Sequence, residues 1–576
     1  MIDTNPLLSI RDLRISFETE GRVNSVIKGI NLDIGKGEIV GLVGESGSGK
    51  SVTGLSLCGL LPENNARITG SIQFDHFGNA KELVGMTDNA FRQLRGSNIS
   101  MIFQEPMSSL NPVLTCGFQV DEMTRLHLKY NKEQARNTTL ELFDKVGLPD
   151  PHRIYRSYPH QISGGQIQRV MIAMAISCHP QLLIADEPTT ALDVTIQKKI
   201  LELLVKIRKD FGISILFISH DLGVIKDITS NINVMYRGRI VEAGSTESVL
   251  DNPQHPYTRG LIACKPPLRY KKERLPVVSD FVTIEETSDD YVFKPVVKSE
   301  DRPIPKKDPV CFDQAPLLEV DNLVVKYPIA SNLWGKTTSW LRAVDDMSFS
   351  VYRGETLGIV GESGCGKSTL GRTIVHLEKA SSGVVFFEGR DLLKQRESDW
   401  KSTARQVQII FQDPYSSLNP KMNIGAAIME PMMVHNLYNS HKGRREKMLT
   451  LLEQVGMLPE HADRYPHEFS GGQRQRISIA RALGLNPQLL ICDESVAALD
   501  VSVQSQVLNL LKDLQAEYGL SMLFITHDMS VVNFIADRIL VMHKGKVVEA
   551  GSVEEVIRNP KEDYTMRLIE SIPQWS

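Results

Sequence analysis

The stretch GEIVGLVGESGSGKS, Gly37 to Ser51, joins an apolar strand-like run to a glycine-rich turn that ends in a lysine and a hydroxyl. Its spacing, G-x-x-x-x-G-K-[ST], is met by Gly44, Gly49, Lys50 and Ser51, and each residue type has a physical use. Glycines at 44, 47 and 49 let the backbone turn tightly so that several N–H groups converge on one anion, and the helix that follows adds its positive end. Lys50 neutralises phosphate charge, and Ser51 offers a hydroxyl to a bridging Mg²⁺. Ser46, Ser48 and Val52 belong to the same loop. A single match could be a chance glycine-rich turn. The motif returns, however, in GETLGIVGESGCGKS, Gly354 to Ser368, with Gly361, Ser363, Gly364, Cys365, Gly366, Lys367, Ser368 and then Thr369. A repeat of that length organises the whole reading.

The chain has 576 residues, too many for one core, and a formal net charge of −4. Such a balance lacks the basic excess that supplies phosphate-backbone affinity for nucleic acid. Its seven cysteines form no C-x-x-C pair and no Cys/His cluster, so neither a disulfide framework nor a zinc site is expected. The opening MIDTNPLLSIRD has no signal-peptide pattern, and no window approaches 18 apolar residues. If the protein works at a membrane, another chain must hold it there.

Residues 8–45 read as short strands, with Phe17 either core packing or a surface on which a base could stack. An apolar run then ends at Gln104 before the turn EPMSSLNP; alone, that glutamine reads as a strand terminator. From about 118 the pattern turns helical and charged, and it leads into YPHQISGGQIQRV. There Ser163, Gly164, Gly165 and Gln166 open a helix, as a cap or as a second anion site. LLIADEP delivers Asp186 and Glu187 to the ligand edge of a buried parallel sheet. Asp186 suits a Mg²⁺ contact, and Glu187 suits orienting or deprotonating a water. ILFISHD ends at His220, which by itself would be an ordinary structural histidine.

The second half repeats this order with Gln412, then Ser470, Gly471, Gly472 and Gln473, then Asp493 and Glu494, then His527. The lysines lie 317 residues apart, the glutamines 308, and the three later motifs 307. One architecture is written twice. Between the copies, residues 265–316 hold eight prolines and read as an extended linker or a small β-rich appendage, with RYKKER in it a solvated charge run. The second copy also carries an insertion, NLWGKTTSW, containing Trp334 and Trp340.

This ordered set resembles the ATP-binding cassette superfamily, once in each half. QEPMSSLNP, QDPYSSLNP and the tail NPQHPYTRGLI are similar to ATPase subunits of dipeptide and oligopeptide importers, here in the fused form found in some peptide and glutathione importers. The resemblance implies an α/β fold of two tandem P-loop NTPase domains, 1–264 and 317–576, each with a mixed or parallel β core and a helical subdomain, about 118–175 and 423–482. It implies an intramolecular cassette dimer closing over two ATP molecules with Mg²⁺. One composite site would take Lys50, Ser51, Gln104, Asp186, Glu187 and His220 with Ser470, Gly471 and Gly472 of the other half. The second would take Lys367, Ser368, Gln412, Asp493, Glu494 and His527 with Ser163, Gly164 and Gly165. Glu187, His220, Glu494 and His527 would be catalytic. Ser51, Gln104, Asp186, Ser368, Gln412 and Asp493 would serve the metal. Phe17 and Tyr327 match the position that stacks on adenine.

The implied partners are two integral-membrane permease subunits and, through them, a solute-binding protein, at the cytoplasmic face of a bacterial inner membrane, with no nucleic acid. The second copy departs from the pattern with Ser495 where the first has Pro188, and with Cys365 where the first has Ser48, which makes the second loop an expected target for thiol alkylation. Cys264 and Cys311 alone occupy the region where some relatives bind an iron–sulfur cluster, so none is expected. The competing reading is a soluble tandem cassette acting on ribosomes or DNA; a third, an inactive scaffold, is disfavoured by the two full catalytic sets.

Overall fold

The computed structural model describes residues 6–19, 21–62, 64–190, 193–286, 291–296, 307–331 and 337–572. The apolar runs ahead of the two phosphate loops form the strands Ile39–Val43 and Thr356–Val360, every residue of which is buried. Continuous apolar runs need cover on both faces, which a parallel sheet between helices supplies. In the first half Ile39–Val43 lies between Ser214–Ser219 and Asn231–Tyr236, all parallel; Leu182–Asp186 and Ile99–Ile102 extend the sheet on one side. Arg239–Ser245 closes the other edge antiparallel. The second half repeats that six-strand order with Val407–Ile410, Leu489–Asp493, Ser521–Thr526, Thr356–Val360, Arg538–His543 and Lys546–Ser552.

A second, antiparallel sheet packs over each phosphate-loop helix. Its first hairpin, Leu8–Thr19 with Arg22–Ile34, is longer than the short strands expected, and its counterpart pairs Leu318–Ser331 with Thr337–Val351. Of the NLWGKTTSW insertion, Thr337 to Trp340 open the return strand of that second hairpin. Trp340 pairs with Pro328 and is 54% exposed, whereas Trp334 lies outside the described residues. The charged stretch after residue 115 forms the helices Cys116–His127 and Lys132–Lys145, the first capped by Thr115 and the second by an Asn131–Gln134 box. Ile424–Val434 and His441–Gln454 answer them in the second half.

The segment after Cys264 behaves differently from a solvated linker. RYKKER lies along the second half: Lys271 Nζ donates to the Ala536 carbonyl at 2.6 Å, and Arg274 holds Asp513 with two bonds of 2.9 and 3.0 Å. Lys512 Nζ returns a bond to the Glu273 carbonyl, and Asn533 Nδ2 reaches the carbonyls of Pro267, Leu268 and Tyr270. Leu275 is buried in the second half's core, its N–H donating to Asn509 Oδ1 at 3.0 Å and its carbonyl accepting from Asn509 Nδ2 at 2.8 Å. The β-rich part also exists. The hairpin Val282–Glu286 with Tyr291–Pro295 packs back on the first half, Phe293 standing edge-on to Tyr236 and His255. Two of the RYKKER charges, on Lys271 and Arg274, are therefore spent on protein partners.

Asn509→Ala leaves a buried N–H and a buried carbonyl of Leu275 without partners, at about 1–3 kcal/mol for each orphaned group. The expected outcome is a lower denaturant midpoint for the second half in urea titration, with Asn509→Asp, which sets a buried carboxylate oxygen against the Leu275 carbonyl, losing at least as much.

Candidate functional site

Both phosphate loops have the backbone their glycines permit. Gly49 and Gly366 cap the following helices at φ 105° and 107°, in the left-handed region; a Cβ on Gly366 would sit 1.9 Å from the Ala343 carbonyl oxygen. On Gly47 and Gly364 a Cβ would meet nothing within 4 Å, so this side of each loop is open. Lys50 folds over its loop, donating to the carbonyls of Gly44 and Glu45 at 2.8 and 2.9 Å, and Lys367 does the same to Gly361 and Glu362 at 2.8 and 3.0 Å. Burial lowers the Lys50 pKa against the pull of the carboxylates Glu187, Asp500 and Asp186.

The side chains of Ser48 and Cys365 lie under their loops, at 3% and 6% exposure. Burial pushes the Cys365 thiol up, so this cysteine is a poor nucleophile despite its place in the motif. Alkylation at this position should therefore be slow.

The strand-end carboxylates come to the loops as the sequence order requires. Ser51 Oγ donates to Asp186 Oδ1 at 3.1 Å and Ser368 Oγ to Asp493 Oδ1 at 2.7 Å. Asp493 Oδ2 is buried without a hydrogen-bond partner. A hydroxyl beside a carboxylate with an unshared buried oxygen is a hard oxygen pair that fits Mg²⁺. Among the described residues no group of three or more His, Cys, Asp or Glu could hold a metal by itself. Burial and the neighbouring glutamate raise Asp186 to about 6, against the Ser51 hydrogen bond, and burial likewise raises Asp493.

Glu187 and Glu494 sit one residue past the strands with φ 46° and 47°, a left-handed conformation rare for non-glycine residues and characteristic of functional sites. Each is pinned by its own N–H, which donates to the carbonyl of Ile218 or Ile525 on the adjacent strand. Gln104 Nε2 donates to Glu187 Oε2 at 3.0 Å, and Gln412 Nε2 to Glu494 Oε2 at 2.8 Å. His220 Nδ1 is 3.1 Å from Glu187 Oε2; His527 Nδ1 is 3.7 Å from Glu494 Oε2. Burial opposes ionisation of Glu187, but the His220 hydrogen bond and charge, with Lys50 and Thr190, override it and hold the carboxyl down at about 2. Histidine and lysine lower Glu494 in the same way.

Phe17 is half-buried and packs with Val52 on the first half's core. Tyr327 takes the matching place, its hydroxyl bonded to Glu378 and Thr369. Ser163 and Ser470 open their helices with an N–H to the side chain of Gln166 or Gln473 at 3.0 Å. The outer glycines, Gly164 and Gly471, have nothing within 4 Å of a Cβ, while one on Gly472 would meet Val503 at 2.2 Å. Among the described residues no hydrogen bond joins either Ser-Gly-Gly start to the other half's phosphate loop.

The bond that does cross the halves was missed in the sequence. Asp500 Oδ2 accepts from the Ser46 N–H at 2.8 Å. Asp193, the counterpart of Asp500, instead caps its own helix through the Ile196 N–H at 2.8 Å. A Leu-Asp pair six residues past each glutamate was the available signal. Tail residues also reach the loops: the Glu362 N–H donates to Tyr564 Oη at 3.1 Å, and Tyr257 is wholly buried beside Glu45. A cavity of about 160 Å³ between the halves is lined by His220, Gln412, Glu494 and His527 among others. The buried Cys365 should react with a maleimide far more slowly than the exposed Cys311, read by peptide mass spectrometry after a timed quench.

The model of the ABC transporter family matches residues 27–190 and 344–497, and that of the oligopeptide/dipeptide transporter C-terminal region matches 241–290 and 548–576. Similar relatives include the glutathione import ATP-binding protein GsiA of Pectobacterium atrosepticum, 43% identical over 575 residues, covering 100% of this chain and 90% of the relative. GsiA of Escherichia coli K12 is 44% identical over 583 residues, covering 99% and 90%. With two family matches framing the phosphate loops and the glutamates, the chain belongs to the ABC transporter family, as a tandem-cassette ATPase that uses ATP and Mg²⁺.

Proposed function

We propose that this chain is the ATP-hydrolysing subunit of an importer for glutathione, dipeptides or oligopeptides, working through two composite sites. The observation that carries the reading is the doubled geometry at Glu187 and Glu494, each in a left-handed turn beside a lysine-bearing loop with a glutamine and a histidine on its carboxylate. The cargo class is supported by relatives whose names state glutathione import and by the match to the oligopeptide/dipeptide C-terminal region.

Phosphoryl transfer depends on positioning and charge compensation. Lys50 and Lys367 meet the β- and γ-phosphates, and the open faces of Gly47 and Gly364 admit them. Ser51 with Asp186, and Ser368 with Asp493, would hold Mg²⁺, which would supply charge neutralisation to the phosphates. Glu187 or Glu494 takes a proton from the water, whose oxygen joins the γ-phosphorus as the bond to ADP breaks. His220 keeps Glu187 in place while His527 stands 3.7 Å from Glu494, and Phe17 and Tyr327 offer rings to adenine. Ser470–Gly472 and Ser163–Gly165 present amide dipoles to the opposite half's nucleotide only on closure, so ATP favours the closed form by touching both halves there.

No helix of the described residues is long and apolar enough to cross a membrane. Relatives named for glutathione import support a subunit that works at the cytoplasmic face of the inner membrane by docking two permease subunits, which in turn meet a solute-binding protein.

Glu187→Gln and Glu494→Gln should each reduce hydrolysis at the altered site of order 10²–10⁴-fold with nucleotide binding kept. Native turnover in either variant would remove that glutamate from the mechanism. The double variant with ATP, purified from native membranes in mild detergent, should bring down two multi-span permeases; ribosomal proteins alone would favour the soluble reading.

A further inference from the structure

The two glutamates are held by different sets of donors. Three groups converge on Glu187 Oε2: Gln104 Nε2 at 3.0 Å, His220 Nδ1 at 3.1 Å and the Thr190 hydroxyl at 2.9 Å. On Glu494 Oε2 the one hydrogen bond among the described residues comes from Gln412, at 2.8 Å. His527 Nδ1 stands off at 3.7 Å and is buried with no hydrogen-bond partner. The turn itself is the same in both halves, since Thr190 N–H donates to the Glu187 carbonyl at 3.2 Å and Ala497 N–H to that of Glu494 at 3.1 Å. What differs is the side chain: the residue 307 positions after Thr190 is Ala497, which has no hydroxyl to offer.

The difference grows during the reaction. A glutamine that turns to the nucleotide gives up its bond to the glutamate. Glu187 then keeps Thr190 and His220 on Oε2, with Oε1 left to receive the proton, whereas on Glu494 Oε2 only the distant His527 remains among the described residues, with Lys367 Nζ 3.6 Å from Oε1. A side chain with three rotatable bonds spreads over several rotamers unless something holds it, and a 1 Å misplacement of a reacting group can cost of order 10²-fold in rate.

We propose that Thr190 is a positioning residue for hydrolysis at the first site, holding Glu187 through its Oε2, and that Ala497 denies the second site this restraint, so the first site turns over faster. The inference rests on reading Glu187 and Glu494 as the proton acceptors. Thr190 acts through the glutamate, on whose Oε2 its hydroxyl sits at 2.9 Å.

The test is steady-state hydrolysis by the full chain. Thr190→Ala should lower kcat by at least about threefold with the KM for ATP within about twofold, because the lost group orients rather than binds. Thr190→Ser should restore turnover, and Ala497→Thr should raise it by supplying the missing hydroxyl. In a Glu187→Gln background, Thr190→Ala should cost nothing more, since the two act as a unit. Native kcat in Thr190→Ala, a KM rise that accounts for the loss, or a further loss in the Glu187→Gln background would each overturn the proposal. Native turnover in Glu187→Gln itself is a different failure, which removes the proton-acceptor reading and this inference with it.

Discussion

Each half depends on a carboxylate pair carried out of the core by a wholly buried strand. The strand supplies rigidity, because Leu182–Asp186 and Leu489–Asp493 are flanked by parallel neighbours on both sides and have no freedom to shift. The left-handed turn at the next residue aims the glutamate away from the direction a continued strand would take. Such a backbone persists only where its surroundings over-determine it, and here the N–H bond to the adjacent strand and the donors on the carboxylate do so. The lysine, the serine, the glutamine and the histidine all find their places by reference to this fixed pair.

The halves share one plan, yet the structure separates them in small chemical ways. Asp500 reaches across to Ser46 while Asp193 stays at home as a helix cap, although both stand at the same point of the repeat. Thr190 and Ala497 make a second asymmetry in the same loop. Repetition in the sequence therefore conceals two sites with different surroundings.

The fold was legible because its signals are local and doubled. Five-residue apolar runs ending in carboxylates can only be buried parallel strands, and a lysine loop behind such a run leaves little choice of topology. The site was legible for residues that occupy motifs. Thr190, Asp500, Tyr257 and Tyr564 were not, because their roles depend on which atoms meet across a turn or between halves, and spacing carries no record of that. The burial of the Cys365 thiol was hidden for the same reason: a motif position names a place in the chain, not the side of the loop a side chain faces. RYKKER misled through composition, since a charge run facing solvent and one facing backbone carbonyls read alike.

The Leu275–Asn509 pair joins residues 234 positions apart. At roughly 5–20 residues per second of synthesis, the first cassette and its strap leave the ribosome on the order of 10–50 s before the helix they grip exists. For that interval Leu275 and the carbonyls meant for Asn533 face water, with the first cassette already able to close its own sheet. Fusion of the two halves thus sets an order of assembly: the leading half waits with an unsatisfied strap, and the trailing half folds onto it at the high local concentration that a covalent tether provides. A pair made as separate chains would have to find that contact by diffusion.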